Sequence, residues 1–432
     1  RARSIFMIVI FLLLLMVNSV FGIIIANEHI EVPGSVIPTW VVIIVAMAVG
    51  YLVYKKGMSL LWVTVIGVSV LYGAIWLGAV VPLSLPETMF GLGAPAQWVI
   101  ILFVYAGIAS VLPVWLLLQP RDYINGIQLF IGLALLYTAV VIASPTIVAP
   151  AFNPAPPENA PPIVPLLFVT IACGAISGFH GLVASGTTSK QLDKEPHARQ
   201  VGYLGSVGEG TLALAAIIAC TAGFASLGEW NGFYGSDFTA INGLTAWALG
   251  GSRIMEAGLG LSAEIARTLL AVMGILFAAT TMDAGVRLQR YIIQEWGQIY
   301  NIPALTGRGL STLIAVGTCL LLAFGAGGGG GGGLIIWPLF GTSNQLLGAL
   351  TLMVMTVYLM KLGRATWVTI VPLTFLIVMT IPALIIQLRQ FWAAGNYLLI
   401  TMDILILVAS ILVALEGLSA IGRARKERAA AA

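Results

Sequence analysis

Residues 5–25 read IFMIVIFLLLLMVNSVFGIII, an unbroken run without a charged side chain. A helix needs about 20 such residues to cross the hydrocarbon core of a bilayer, so this stretch predicts a transmembrane helix. Working outward, eleven more runs have the same character: 37–54, 60–81, 97–118, 127–147, 165–185, 201–224, 262–283, 309–324, 335–360, 366–388 and 397–418. Short connections marked by Pro, Gly, Asn or charge separate them. The expected fold is an all-α polytopic membrane protein of about twelve transmembrane helices, in a single domain over residues 1–432.

Composition agrees with that reading. The chain of 432 residues is 59% hydrophobic and only 9% charged, whereas a soluble domain carries about 25% charged residues. A cytosolic enzyme, a disordered protein and a nucleic-acid binder are excluded. The net charge of +3 is scattered and forms no basic patch. Cys173, Cys220 and Cys319 each lie in an apolar run, at no metal-ligand spacing, and read as packing residues. The chain begins at Arg1 rather than Met, carries seven successive glycines at Gly327–Gly333 and closes on Ala429–Ala432. No chemistry is assigned to these stretches.

Lys and Arg set the expected orientation, because they concentrate in cytoplasmic loops. With the N-terminus inside, seventeen of the twenty basic residues fall on the inner side; Arg253, Arg267 and Arg389 are the exceptions. Both ends of the chain are expected to be cytoplasmic. On the outer side, residues 149–165 hold seven prolines and read as a stiff, irregular connection. Residues 225–261, with Trp230, Phe233, Tyr234 and Trp247, suggest a short interfacial helix near 237–249, either an anchor or a lid.

Ionisable and hydroxyl groups at membrane depth are costly and mark pathways or relays. In the sixth run, Ser177, His180 and Ser185 share one face of a regular helix, beside a stripe of Gly174, Gly178 and Gly181. Ser185-Gly186-Thr187-Thr188 is poor helix and offers hydroxyls and free backbone groups. The bland alternative is a tightly packed helix with a hydrogen-bonded His. Glu209, among Gly202, Gly205, Gly208 and Gly210, is a candidate proton carrier or a structural hydrogen-bonding group. Pro113, two residues before Trp115, predicts a helix broken at mid-membrane, or a simple kink. Arg121 and Asp122 read as an inner gate or a structural pair rather than a substrate site, with Lys190 as a further gate residue. Asp283 either ligates a cation or carries a proton. Alternatively it pairs with Arg287 at a solvated helix end, which is the favoured reading. Asn344 and Gln345 read as inter-helix glue. Asp403 and Glu416 have no assigned role.

No phosphate-binding loop and no metal-ligand pattern occurs. Neither cofactor nor metal is therefore expected. Ser177, His180 and Ser185 share one helix and lack separate base and oxyanion donors, so a serine hydrolase is disfavoured.

Five stretches carry a resemblance. They are Val111 to Tyr123, Thr170 to Thr188, Gly202-Tyr203 with Glu209, Met282-Asp283-Ala284-Gly285, and Trp337 to Gln345. With these the chain resembles the carbon starvation protein A family of bacterial transporters. That resemblance implies uptake of peptides during carbon starvation, and for some members proton-coupled uptake of pyruvate. It also implies a fold similar to the inverted-repeat fold of amino acid and sodium symporters. Family members begin with further transmembrane helices, including a glycine-rich broken one, and this chain is expected to start after them. The missing helices would be undescribed, truncated or supplied by a partner chain. In that register residues 1–81 finish the first repeat and 97–283 form the second. Residues 309–418 are peripheral and 419–432 form a cytoplasmic tail.

The expected function is a secondary active transporter of the bacterial inner membrane. It would import peptides, amino acids or pyruvate-like carboxylates by alternating access, with a proton or sodium as coupling ion. Substrate-binding candidates are Pro113, Trp115, Ser177, Gly178, His180, Ser185, Thr187 and Thr188; coupling candidates are Glu209 and Asp283. Expected partners are the small-molecule substrate and membrane lipids, with a homo-oligomer or a partner chain as further options, and no nucleic acid. The alternative is a non-transporting membrane subunit or sensor that needs a partner chain.

Overall fold

The computed structural model describes residues 2–154, 156–157, 160, 162–235, 243–326 and 328–431. Its elements run α1 (Ala2–Glu31), α2 (Val36–Tyr54) and α3 (Leu60–Val80), then a small hairpin of β1 (Thr88–Met89) and β2 (Leu92–Gly93). There follow α4 (Ala94–Val111), α5 (Leu118–Ala143), α6 (Phe168–Ala175), α7 (Gly178–Gly186), α8 (His197–Ala222), α9 (Leu227–Tyr234) and α10 (Gly243–Leu259). The chain finishes with α11 (Ala263–Ile299), α12 (Pro303–Thr306), α13 (Arg308–Gly325), α14 (Gly332–Lys361), α15 (Trp367–Ala393) and α16 (Tyr397–Ala431). Among the described residues, eleven helices are long and apolar enough to cross a membrane.

Helix is the natural outcome for apolar runs of this kind, because in lipid every backbone N–H and C=O must be satisfied within the segment. Side chains mark where the runs start and stop. Ser226 and Ser262 accept hydrogen bonds from Glu229 N and Ile265 N at the starts of α9 and α11, and Glu229 and Glu264 lie in those first turns, where acids suit the helix dipole. Gly363 and Gly395 follow α14 and α15 at φ of 67° and 66°, the left-handed turn that glycine adopts without steric cost.

α1 and α11 run side by side through the middle. One apolar core joins α1, α14 and α16 around Leu13, Leu14, Leu339, Phe340 and Leu399. A second joins α5, α10 and α11 around Leu136, Met255 and Leu270, and a third joins α1, α4, α11 and α13 around Ile23, Phe103, Met282 and Cys319.

Several expectations are corrected. The sixth run is no continuous helix: α6 and α7 are half-helices interrupted at Ile176 and Ser177, which leaves eleven long helices rather than twelve. The fourth run does break at Pro113, towards its end rather than at its middle. α4 ends at Val111, Leu112 is extended at φ −66° and ψ 150°, and Pro113 lies in the connection to α5. A residue before proline is disfavoured from helix, so Pro113 stops α4 rather than kinking it. The eighth run continues to Ile299, because Arg287 and Arg290 are buried rather than solvated. α14 is not peripheral, since Leu339, Phe340 and Leu350 pack against α1. Of the expected interfacial helix, residues 237–242 lie outside the described set. α10 buries Thr245, Trp247 and Met255 in the bundle. Residues 419–431 continue α16.

α8 and α10 touch through backbone. A Cβ on Gly250 would overlap the Ala219 carbonyl, and one on Gly223 would overlap Gly250 itself. Gly250→Val is therefore expected to destabilise the protein by about 1–3 kcal/mol, measured as a lowered melting temperature in detergent. Gly126→Val, where no atom lies within 4 Å of the added carbon, serves as the control and should shift it far less.

Candidate functional site

Among the described residues, the most heavily charged buried site lies where α4, α5 and α11 meet. Asp283 is 0% exposed and Arg121 is 1% exposed. Arg121 Nη1 donates to Asp283 Oδ2 and also to the Tyr105 hydroxyl, and Tyr105 donates to the same carboxylate oxygen at 2.7 Å. Asp122, whose side chain is exposed, stands 4.0 Å from the far side of the guanidinium. Helix period explains the convergence on α11: Asp283, Arg287 and Arg290 sit at i, i+4 and i+7 on one face. Arg287 Nη2 donates to the carbonyls of Ala109 and Leu112 at 2.6 and 2.8 Å, satisfying the open C-terminus of α4. Arg290 Nε donates to Ser110 at 3.1 Å.

Not every polar atom here is used. Arg121 Nε and Nη2, Asp283 Oδ1 and Arg287 Nε are buried without a hydrogen-bond partner. Beside Arg121 and Tyr105 is a small cavity, with Thr39, Trp40, Leu102 and Leu276 among its walls, large enough for about one water. A neutral polar network links α11 to α1 and α13. Asn18 Nδ2 and Cys319 Sγ donate to Gln289 Oε1 at 3.0 and 3.2 Å, and Ser19 donates to the Cys319 carbonyl at 3.1 Å.

The second polar feature is the break between α6 and α7. Ser177 caps α7 by accepting from His180 N at 3.3 Å. From α14, Asn344 Oδ1 accepts from Phe179 N at 2.8 Å, and Asn344 Nδ2 donates to Ser177 Oγ at 3.2 Å. Gly178 is packed so closely on Asn344, Leu347 and Gly348 that no side chain fits there. Asn344 is thus glue of a specific kind, satisfying the backbone that the break exposes.

The structure separates the sequence-expected residues into groups. Arg121 and Asp283 come together, with Tyr105 added. Ser177 and Gly178 form the break. His180 and Ser185 are exposed, Thr187 and Thr188 follow at the end of α7, and Lys190 is exposed beyond them. Pro113 is exposed, and Trp115 lies under Lys55 Nζ at 5.3 Å and beside Tyr54 at 6.1 Å, away from the ion cluster. The expected pairing of Asp283 with Arg287 at a solvated end is overturned by burial and by Arg121. Glu209 is exposed on α8, and no atom lies within 4 Å of a Cβ built on Gly202, Gly205, Gly208 or Gly210. The side chains of Cys173 and Glu416 lie outside the described set. Among the described residues, no group of three or more His, Cys, Asp or Glu is placed to hold a metal ion.

Other buried polar groups escaped the sequence reading. Glu28, 0% exposed, accepts from Thr245 at 3.2 Å, and His29 bonds Ser35 at 2.8 Å and packs on Trp98. Following the run 5–25, both look like a solvated helix end. Asp403 is also fully buried, with neither oxygen partnered.

A family model of the carbon starvation protein CstA matches residues 1–230 and 232–383. The chain belongs to the CstA family. The peptide transporter CstA of Campylobacter jejuni is 30% identical to it over 431 residues, covering 87% of this chain and 61% of that protein. The peptide transporter CstA of Helicobacter pylori J99 is 33% identical over 368 residues, covering 73% and 53%. The pyruvate/proton symporter BtsT of Escherichia coli is 30% identical over 459 residues, covering 88% and 63%. The chain thus spans about half to three fifths of the length of these CstA-family relatives, each named as a transporter rather than an enzyme.

Removing one member of a buried ion pair strands the other, at a cost of about 3–5 kcal/mol. Arg121→Met should therefore lower the melting temperature steeply. Adding Asp283→Leu to it should recover most of the loss, as a double-mutant cycle in detergent can measure. Full stability of the single variant would remove the pair from the structural account.

Proposed function

We propose that this protein is the membrane core of a secondary transporter that imports small carbon compounds by alternating access, coupled to the proton gradient. The substrates are peptides, amino acids or pyruvate-like carboxylates. The observation that carries the reading is the Arg121–Asp283–Tyr105 cluster, an ion pair buried at the junction of three long helices. Buried charge of this kind in a membrane bundle is costly and serves pathways and relays. The half-helices α6 and α7 add a non-helical point inside the bundle, where Ser177, Gly178 and the following His180, Ser185, Thr187 and Thr188 would meet substrate. Of the two candidate coupling carboxyls, complete burial favours Asp283 over the exposed Glu209. Arg121, Asp122 and Lys190 belong to the inner end in this reading, and both chain ends face the cytoplasm. Residues 1–81 and 97–283 are assigned to the two halves of an inverted repeat.

Glu209 favours a second reading. An uncompensated carboxyl on a helix face without protein neighbours is costly against lipid, so this face of α8 would meet further polypeptide. On this reading the chain is a subunit whose site is complete only with a partner.

Proteoliposomes separate the two. The first reading expects an imposed inward proton gradient to drive accumulation of labelled pyruvate or dipeptide. Asp283→Asn should abolish that accumulation, and Glu209→Gln should leave it within a factor of two. No uptake of any labelled compound by the chain alone, with or without a gradient, would defeat the first reading in favour of the second.

A further inference from the structure

Three guanidinium groups and one carboxylate are buried together around the ends of α4 and α5. Arg121, Arg287 and Arg290 are 1%, 5% and 3% exposed, against 0% for Asp283. Arg287 and Arg290 are occupied by the Ala109 and Leu112 carbonyls and by Ser110. Arg121 differs. It spends a single nitrogen, Nη1, on both Asp283 and Tyr105, and leaves Nε and Nη2 without a hydrogen bond. Those two N–H groups lie on one edge of a planar fork, and that edge matches the two oxygens of a carboxylate. A cavity with room for about one water lies beside Arg121 and Tyr105, and on the Nη2 side Asp122 Oδ1 stands 4.0 Å away, beyond hydrogen-bond distance.

We propose that Arg121 is the anchor for the substrate's carboxylate, and that binding there displaces Asp283, which then takes up the coupling proton. The proposal rests on the transport reading and adds to it the chemical class of the ligand and the link between ligand and proton. Charge balances at each stage. Arg121 begins paired with the Asp283 carboxylate. A ligand carboxylate enters and pairs with Arg121. Asp283, now without its cation, is an ionised group in a low-dielectric interior, which is far costlier than the neutral acid. One proton joins one Asp283 oxygen. One negative charge and one proton have entered, so the buried net charge is unchanged and no bond to carbon is made or broken. On release the ligand leaves, the Asp283 proton departs, and the original pair reforms.

The groups acting on Asp283 are those this exchange requires: Arg121 and Tyr105 directly, Arg287 from its own helix, and Asp122 beyond Arg121. Tyr105 can donate to Asp283 in the resting pair and can turn to the ligand carboxylate when Asp283 is neutral. Since the cavity has room for about one water, the rest of a ligand enters only as the wall opens. Trp40, edge-on to Tyr105 at 5.7 Å, is the largest apolar side chain in that wall.

The test uses purified protein in weakly buffered detergent with a pH-indicating dye. Pyruvate and alanyl-alanine are compared with pyruvamide and alanyl-alanine amide. Each acid is expected to bind with uptake of close to one proton, and each amide at least tenfold more weakly. Asp283→Asn should bind the acids as tightly as the unmodified protein or more tightly, without proton uptake. A purely structural ion pair would instead lose binding in that variant. Acid binding without proton uptake, equal binding of acids and amides, or binding of neither acid would each overturn the proposal. These three readouts come from the unmodified protein, so they decide the matter even if the variants fail to fold. Gradient-driven uptake of the amides in proteoliposomes would leave the transport reading standing and remove the anchor. Proton-linked acid binding without uptake would leave the anchor and remove the transport reading.

Discussion

The bundle depends on one constraint, that Arg121 and Asp283 have no solvent to turn to. Each would be costly to bury alone, and the cost falls only when they meet. Arg121 belongs to the first turn of α5 and Asp283 to the middle of α11, 162 positions apart in the chain. Their contact fixes the depth at which α5 enters the bundle and its rotation against α11. Tyr105 then fixes α4 against both. Three helices with otherwise interchangeable apolar faces acquire a unique register from three polar side chains. Apolar packing alone does not supply that, since lipid tails compete for the same surface.

The same logic governs each place where helix stops inside the bundle. α4 ends with open carbonyls at Ala109 and Leu112, and Arg287 occupies both. α6 ends and α7 begins with open backbone, and Asn344 occupies the Phe179 amide. In water such groups would simply be hydrated. Within a membrane they need a partner from another helix, so each irregular point records a tertiary contact. Pro113 and the Ser177–Gly178 junction are therefore not loose points of the chain. They are held by α11 and α14, the long helices that also pack against α1.

Most of the architecture was legible in the sequence, because membrane helices are announced by length and hydropathy, and these need no tertiary information. Failures fell where charge was read by local rules. Asp283, Arg287 and Arg290 looked like a solvated end, since a cluster of charges after an apolar run is usually just that. Their common face on the helix was the available signal, and Arg121 after Pro120 was its counterpart. Glu28 and His29 were lost for the same reason and left no such trace. Glu209 is exposed on α8, and its glycine neighbours report only that a neighbour would fit there, not that one is present. The poor helix read at Ser185 to Thr188 is where α7 ends, but the second interruption, at Ile176 and Ser177, was not visible. The deciding group, Asn344, lies 165 residues from the Phe179 amide it accepts from.

On the alternating-access reading proposed above, some helices must hold together while others move, and the polar groups divide along that line. Asn18, Gln289, Ser19 and Cys319 form a neutral network between α1, α11 and α13, with hydrogen bonds of 3.0 to 3.2 Å. Such bonds do not depend on protonation and change little with a ligand. The contact of α5 with α11 through Arg121 and Asp283 is ionic, and an ionic contact can be exchanged for another of equal charge. α1, α11 and α13 therefore suit the fixed part of a moving pair, while α5, with Trp40 of α2 beside its cavity, suits the part that changes partner. A membrane protein can place a reversible step at such a point without losing its fold. The apolar seam of α1, α14 and α16 contains neither Arg121 nor Asp283.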